Sequence, residues 1–426
     1  MSFAETVSPV AVPSGKGTAV GGSRDRFDEV ILPVAFYFFM ASICRVGIDL
    51  VPATTNISWG AAYACLFWAI VRRPAVYIEL ARRNALLLVA ALFCSCSAFW
   101  SLTPVLSFYS GILFVLNVLV GFLFAERLGV RRVVTWLFYF GFITQTISVA
   151  LFIAKVPVAL GPGGEIKGLF FHKNSLSMHA SVLYLNSIVL LLSGWRRTLT
   201  AMGLLLAIAE ILLSRSGTGL LMLTLITAVL SLCMISKANR AMSSVLFGTL
   251  AIAACLGLAF SMLVSADIYS DILAALGKDD TLTGRTVLWD QAFNSFDQRP
   301  WLGVGFVSFW TSSETSASAI WILTGQMLTS FHNIYVDRLV DVGIVGLGLL
   351  MAAQLRIFWT SWWFFRRNAS VLAVWPFLYM SFISALSLSE YPIFWNSEYQ
   401  LLFSFAGAVT SVAVAHSQRS NHARPR

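Results

Sequence analysis

Residues 107–125, SFYSGILFVLNVLVGFLFA, contain no charged side chain, and at helical rise they are long enough to cross a hydrocarbon core of about 30 Å. Similar runs recur from residue 31 almost to the C-terminus, at 31–52, 57–71, 85–101, 107–125, 133–154, 175–193, 198–214, 217–236, 241–265, 335–362, 370–388 and 395–415. The 426-residue chain is 58% hydrophobic and only 12% charged, too few charges to coat a soluble protein of this size. Lipid offers exposed backbone groups no partner, and the runs lack the alternation of a barrel strand, so the expected fold is an all-α polytopic membrane protein with about twelve transmembrane helices.

Basic residues fall in every second connection: Arg72, Arg73, Arg82 and Arg83; Arg127, Arg131 and Arg132; Arg196 and Arg197; Lys237 and Arg240; Arg366 and Arg367. The positive-inside rule then sets both termini in the cytoplasm and turns the long segments 155–174 and 266–334 outward. The same asymmetry accounts for the net charge of +9 through insertion and anionic lipid headgroups, and gives no support to nucleic-acid binding. The chain divides into a disordered cytoplasmic tail at 1–30, nine spans over 31–265, a large outer loop at 266–334, three spans over 335–415 and a cytoplasmic tail at 416–426. No cleavable signal peptide is expected. The cysteines at 44, 65, 94, 96, 233 and 255 lack the spacing of a zinc site or disulfide framework and read as small buried apolar residues.

The outward segments carry the polar chemistry. In the first, a Gly/Pro-rich turn leads into His172, Lys173 and Asn174; Asn174 or Ser175 is expected to cap the next span, whose N-terminus beside Lys173 is either an anion site or an ordinary interfacial helix start. Arg215 sits in a tight turn, Ser214 to Thr218, against the orientation rule. Its counter-charge is either Glu210 in the preceding span or an anionic ligand. In the largest segment, 284–298 reads as an amphipathic helix with Leu288, Trp289, Ala292, Phe293 and Phe296 on one face, packed on the bilayer or on the bundle. Its first turn holds Arg285, ill-suited to the helix dipole without an anion nearby. Arg299 and Pro300 end it. His332, Asn333 and Tyr335 open the next span, with His332 either a proton acceptor or an interfacial histidine. Asp337, Arg338 and Asp341 read as an internally paired patch, as do Arg45 and Asp49. Glu390 and Glu398 are further acidic candidates in the last outer connection.

Several cations and a histidine on an outer face, with no metal-ligand cluster and no cofactor motif, suit a substrate that carries a diphosphate and leaves as one. Arginines would hold the diphosphate while a base takes the proton of an acceptor hydroxyl.

The chain resembles the O-antigen ligase and polymerase superfamily, and within it the exopolysaccharide-production polymerases. The resemblance extends from about 86 to 410 and rests on GLFFHKN (168–174), LSRSGT (213–218), LTGRTVLW (282–289), RPWLGVGF (299–306) and HNIYVDRLVDVGIVG (332–346), in that order. It implies a metal-independent, multi-pass glycosyltransferase of the bacterial inner membrane with a large periplasmic loop and no cofactor. The implied donor is a polyprenyl-diphosphate-linked oligosaccharide and the acceptor a glycan or lipid-linked glycan; a flippase and a chain-length regulator are implied partners. Arg215 and Arg285 would bind the donor diphosphate, His332 would be the base, and Lys173 and Arg299 would assist. His172, Asn174, Asn333, Tyr335 and Glu390 are supporting positions. Phe170 and Phe171 would line the polyprenyl entrance or anchor the loop. A polymerase of exopolysaccharide or O-antigen repeat units is the leading expectation. A ligase acting on a lipid A core acceptor is the alternative within the class, and a polysaccharide or lipid transporter the alternative outside it.

Overall fold

The computed structural model describes residues 54–161, 163–238, 283–325 and 327–422, together with Leu32, Pro33 and Phe36. The described residues fold almost wholly as helices: α1 Thr54–Arg72, α2 Pro74–Arg83, α3 Ala85–Cys96, α4 Pro104–Arg127, α5 Gly129–Ile153, α6 Lys173–Leu192, α7 Arg197–Leu213, α8 Gly217–Ala238, α9 Thr283–Gln298, α10 Ala317–Thr324, α11 Ile334–Arg367, α12 Trp375–Leu386 and α13 Glu398–His422. A lone antiparallel bridge joins Leu160 and Ile166. Among these helices α4, α5, α6, α8 and α11 are long and apolar enough to cross a membrane. Each expected span within the described residues overlaps a helix. The expected spans 31–52 and 241–265, the tail 1–30, the Arg45–Asp49 pair, and Cys44 and Cys255 lie outside the described residues.

Two segments differ from expectation. The connection holding Arg72 to Arg83 contains α2, opened by Pro74 at its first turn and braced by Arg83 Nε on Glu79 Oε1 at 2.8 Å, one turn apart. Residues 416–422, assigned to a tail, continue α13.

The bundle has an extensive apolar core with hydrogen-bonded polar side chains set into it, and apolar side chains also cover its outside, as lipid allows. Phe67, Leu92, Leu205, Leu221 and Leu355 are exposed, whereas buried polar side chains bind one another. Trp375 Nε1 donates to Asn186 Oδ1 at 2.7 Å, and Gln354 Nε2 donates to the Tyr335 hydroxyl at 2.9 Å and to Ser384 Oγ at 2.8 Å. Close approach depends on glycine where α4 meets α13: a Cβ at Gly121 would stand 2.5 Å from Ser404 Cβ. At one end of the bundle Arg73 Nη1 pairs with Glu126 Oε1 at 2.8 Å and Arg366 Nη1 donates to Ser236 O at 2.5 Å. The basic connections gather there, while the sequence motifs gather at the other end.

The amphipathic helix α9 turns its apolar face to the bundle. Leu288 and Ala292 join a buried cluster with Val304, Phe309, Phe331, Val336 and Val340, and Trp289 Nε1 donates to Phe331 O at 3.1 Å. The helix is thereby tied to the residue that precedes His332.

α11 is broken at Gly343, whose φ of 66° and ψ of −174° interrupt the helical ladder. The freed groups are met by the segment from Pro300 to Gly305. Ile344 N and Val345 N donate to Pro300 O at 2.9 Å and Trp301 O at 3.3 Å; Val340 O and Asp341 O accept from Val304 N at 3.1 Å and Gly305 N at 2.8 Å. Gly303, at φ 68°, lies so close that a Cβ would be 2.5 Å from Asp341 O. RPWLGVGF and the kink of α11 therefore form one unit.

Candidate functional site

His332 is the pivot of the motif end. Its backbone is left-handed, with φ 53°, a conformation unusual for a residue with a side chain and found preferentially where surrounding structure enforces it. The enforcement is visible on both sides. Asn333 caps α11, its Oδ1 accepting from Tyr335 N at 3.0 Å and Val336 N at 3.4 Å. Asp337 accepts from Phe331 N at 3.1 Å and from Trp310 Nε1 at 3.2 Å, and Ile334 N donates to Ser387 O at 3.1 Å. The imidazole itself is about one-third exposed, with Nδ1 3.9 Å from Glu390 Oε2.

Glu390 connects His332 to two other motifs. Asn174 Nδ2 donates to Glu390 Oε1 at 3.5 Å, the outer limit of a hydrogen bond, and Asn174 Oδ1 accepts from Ser216 Oγ at 3.1 Å. Ser177 Oγ in turn donates to Ser216 Oγ at 3.0 Å. Four residues distant in sequence, Asn174, Ser216, His332 and Glu390, thus form a continuous polar chain.

Asn174 does not cap α6 as expected. His172 does, through Nδ1 accepting from Ser175 N at 3.2 Å, because its extended backbone just outside the helix puts the ring over the first turn. The His172 side chain retains some exposure, yet desolvation of its ring lowers its pKa, an effect that Glu390 opposes and His332 reinforces. Lys173 Nζ lies 3.5 Å from Glu165 Oε1, so its charge has a partner within the same loop.

Arg215 also has a left-handed backbone, at φ 51°, and is exposed; among the described residues its side chain has no hydrogen bond or ion pair. Glu210 is not its counter-charge. That carboxylate is buried and, with the Gln145 amide turned so that its nitrogen faces it, accepts from Gln145 at 3.0 and 3.1 Å while the Gln145 oxygen accepts from Ala180 N at 3.0 Å. Arg285 lies in the first turn of α9, four residues before Trp289; its side chain lies outside the described residues. Arg299 is exposed at the end of α9, and its carbonyl accepts from Gly303 N at 3.0 Å, a role in the turn that braces α11. Tyr335 points into the bundle toward Gln354, away from His332.

The Asp337, Arg338 and Asp341 patch is buried, and within it Arg338 pairs with Asp341 while Asp337 serves Phe331 and Trp310. Arg338 Nη1 is 2.9 Å from Asp341 Oδ2, and its guanidinium lies 4.6 Å from the centre of the Phe306 ring and 5.0 Å from that of Tyr391.

Phe306 and Tyr391 line one wall of a cavity of about 820 Å³ beside the polar chain. Glu390, His172, Phe170 and Phe171 line it too, as do Glu398 and His179, which lie 3.7 Å apart. His179 was not singled out by motif, although 172, 175 and 179 share one face at helical spacing. Tyr109, Tyr391, Trp395 and Tyr399 on the cavity wall carry no motif signal either, since an aromatic ring in or beside a membrane span reads as lipid-facing or core.

Fold and site define a polytopic helical membrane protein with a histidine-carboxylate centre at one bundle end. Residues 202–351 match the family model described as O-antigen ligase, a stretch that holds Arg215, Arg285, Arg299 and His332 but not Asn174 or Glu390. The chain is 29% identical over 277 residues to the exopolysaccharide production protein ExoQ of Rhizobium meliloti, an alignment covering 63% of this chain and 62% of the relative. The chain thus spans somewhat less than two thirds of that relative's length. The resemblance to the O-antigen ligase and polymerase superfamily holds on both comparisons.

Proposed function

We propose that this chain is a glycosyltransferase of the bacterial inner membrane, with both termini cytoplasmic, that uses a polyprenyl-diphosphate-linked glycan donor to polymerise exopolysaccharide or O-antigen repeat units on the periplasmic face. The observation that carries the reading is the polar chain through Ser216, Asn174, Glu390 and His332, which joins three motifs and the last outer connection at one end of the bundle.

In this mechanism His332 accepts the proton of an acceptor hydroxyl on Nε2 while Nδ1 faces Glu390, whose carboxylate orients the ring and stabilises the imidazolium as it forms. The acceptor oxygen bonds to the anomeric carbon of the donor as the bond from that carbon to the diphosphate oxygen breaks, and the electron pair leaves with the diphosphate. Arg215, exposed and unpaired among the described residues, together with Arg285 on α9, neutralises that charge. Lys173 contributes by exchanging Glu165 for phosphate. No metal or cofactor is needed for the step.

A ligase passing a finished glycan to a lipid A core acceptor shares this donor chemistry and is supported by the description of the matching family. The test is the purified full chain in detergent, supplied with the host's own lipid-linked repeat unit and no other acceptor. A product ladder that His332→Ala abolishes and Glu390→Gln reduces by about 10-fold or more supports the polymerase. Product only after a lipid A core acceptor is added identifies a ligase. Movement of the lipid-linked glycan across vesicles without a new glycosidic bond refutes both and identifies a transporter.

A further inference from the structure

The cavity beside Glu390 holds more chemistry than proton transfer at His332 requires. Its wall is rich in aromatic rings, among them Tyr109, Phe170, Tyr391, Trp395 and Tyr399, with the carboxylates of Glu390 and Glu398 and the amide of Asn396 set between them. No lysine or arginine lines it among the described residues. Two acidic side chains without a facing lysine or arginine give a phosphate or diphosphate no counter-charge, so the donor's charged group belongs with the arginines outside. An isoprenoid chain fits no better, because it would desolvate both carboxylates and return no hydrogen bond. A polyhydroxylated ring meets both demands: its hydroxyls donate to the carboxylates and accept from the amide, and its C–H faces lie on the aromatic rings.

Three details of the wall point the same way. His179 is stacked on Phe170 with ring centres 4.5 Å apart, and its Nδ1–H donates to Ser175 O at 2.8 Å. In the neutral imidazole Nε2 is therefore an acceptor. It is buried, has no hydrogen-bond partner among the described residues, and lies 3.7 Å from Glu398 Oε1. The neutral imidazole therefore adds an uncharged ring, and no cation, to the wall of the cavity. Second, Asn396 Oδ1 accepts from Asn117 Nδ2 at 3.0 Å, which commits its oxygen to the bundle and leaves its amide nitrogen without a partner among the described residues. Third, the Trp395 ring is held by Nε1 donating to Tyr391 O at 3.0 Å while remaining 37% exposed, a fixed aromatic platform at the cavity's edge.

We propose that this cavity is the acceptor-saccharide subsite and that it takes a neutral, unphosphorylated sugar, stacked on Trp395 and Tyr391, with its hydroxyls bonded to Glu390, Glu398 and the amide of Asn396. The word acceptor rests on the glycosyltransferase reading above; the binding of a neutral sugar stands on the cavity alone. Donor and acceptor would then meet across the Asn174–Glu390–His332 chain, the cations on one side and the aromatic, acidic cavity on the other.

The test uses the purified full chain in detergent, with the neutral oligosaccharide repeat released from the host's polysaccharide as probe and with inorganic pyrophosphate and farnesol as competitors. Tryptophan fluorescence and calorimetry are expected to report saturable sugar binding that neither competitor displaces. Trp395→Ala should weaken it by about 10-fold or more and Glu398→Gln by about 5-fold, with Trp395→Phe retaining most of the affinity as the control for folding. Displacement by pyrophosphate would make the cavity a diphosphate site, and displacement by farnesol a lipid site; either overturns the proposal, as does an affinity unchanged in both variants or no saturable sugar binding. Failure of the enzyme reading is separable. Sugar bound by a chain that forms no product from lipid-linked donor sinks the transferase and keeps the site, whereas transfer by Trp395→Ala with an unchanged acceptor KM sinks the subsite and keeps the transferase.

Discussion

Gly343→Ala tests whether the broken helix organises the site. The φ and ψ of this residue fall in a region open essentially only to glycine, and a Cβ would collide with the Trp301 carbonyl and stand 2.5 Å from Leu302 N. Retaining the kink costs about 1–3 kcal/mol of backbone strain before the collision is counted. Straightening the helix restores two ladder bonds, Ile344 N to Val340 O and Val345 N to Asp341 O, and gives up the four bonds to Pro300, Trp301, Val304 and Gly305. The net loss of two bonds amounts to about 2 kcal/mol, with further loss from the displaced segment. By either route the variant is destabilised by at least about 2 kcal/mol. Thermal unfolding in detergent followed by tryptophan fluorescence reads this as a lower apparent midpoint, and transfer activity falls with it because α11 carries His332 at its start. Gly348→Ala is the matched control: that glycine is exposed in the same helix with open space where a Cβ would go, so the change is neutral or stabilising by up to about 1 kcal/mol. A Gly343→Ala chain as stable and active as the parent would refute the account of the kink.

Three further outcomes are expected. His172 has a lowered pKa in the folded chain, so below about pH 6.5 the unfolded chain takes up its proton first; stability falls as pH drops from 7 toward 5, and His172→Asn, which keeps a cap acceptor without titrating, makes that fall shallower in pH-dependent melts. An identical slope in the variant would contradict the capping role. Arg338→Met leaves Asp341 buried without its partner and costs about 3–5 kcal/mol, most of it regained in the double variant with Asp341→Leu; equal melting of single and double variants would show that the pair is not coupled. Dialysis against EDTA leaves transfer unchanged if the diphosphate is held by arginine alone, and a loss restored by Mg²⁺ or Mn²⁺ would end that reading.

The sequence by itself determined the all-helical, membrane-type fold, because a hydrocarbon solvent admits few backbone solutions and writes them as long uncharged runs such as 107–125. It also marked His332, Arg215 and Glu390 as chemically unusual, since a charged or titratable group near lipid needs a reason. Periodicity found the apolar face of α9 but left open what that face covers. Only tertiary structure decided that it packs beside Phe331, that Glu210 pairs with Gln145 and not Arg215, and that His172 caps α6 while Asn174 reaches Glu390. The same holds for the aromatic cavity, whose rings come from five separate stretches of chain. Hydrogen bonds and ion pairs act over about 3–4 Å in space and leave no trace in residue spacing once their partners come from different helices. Which polar groups face each other is therefore settled by how the helices pack, a property of the whole bundle.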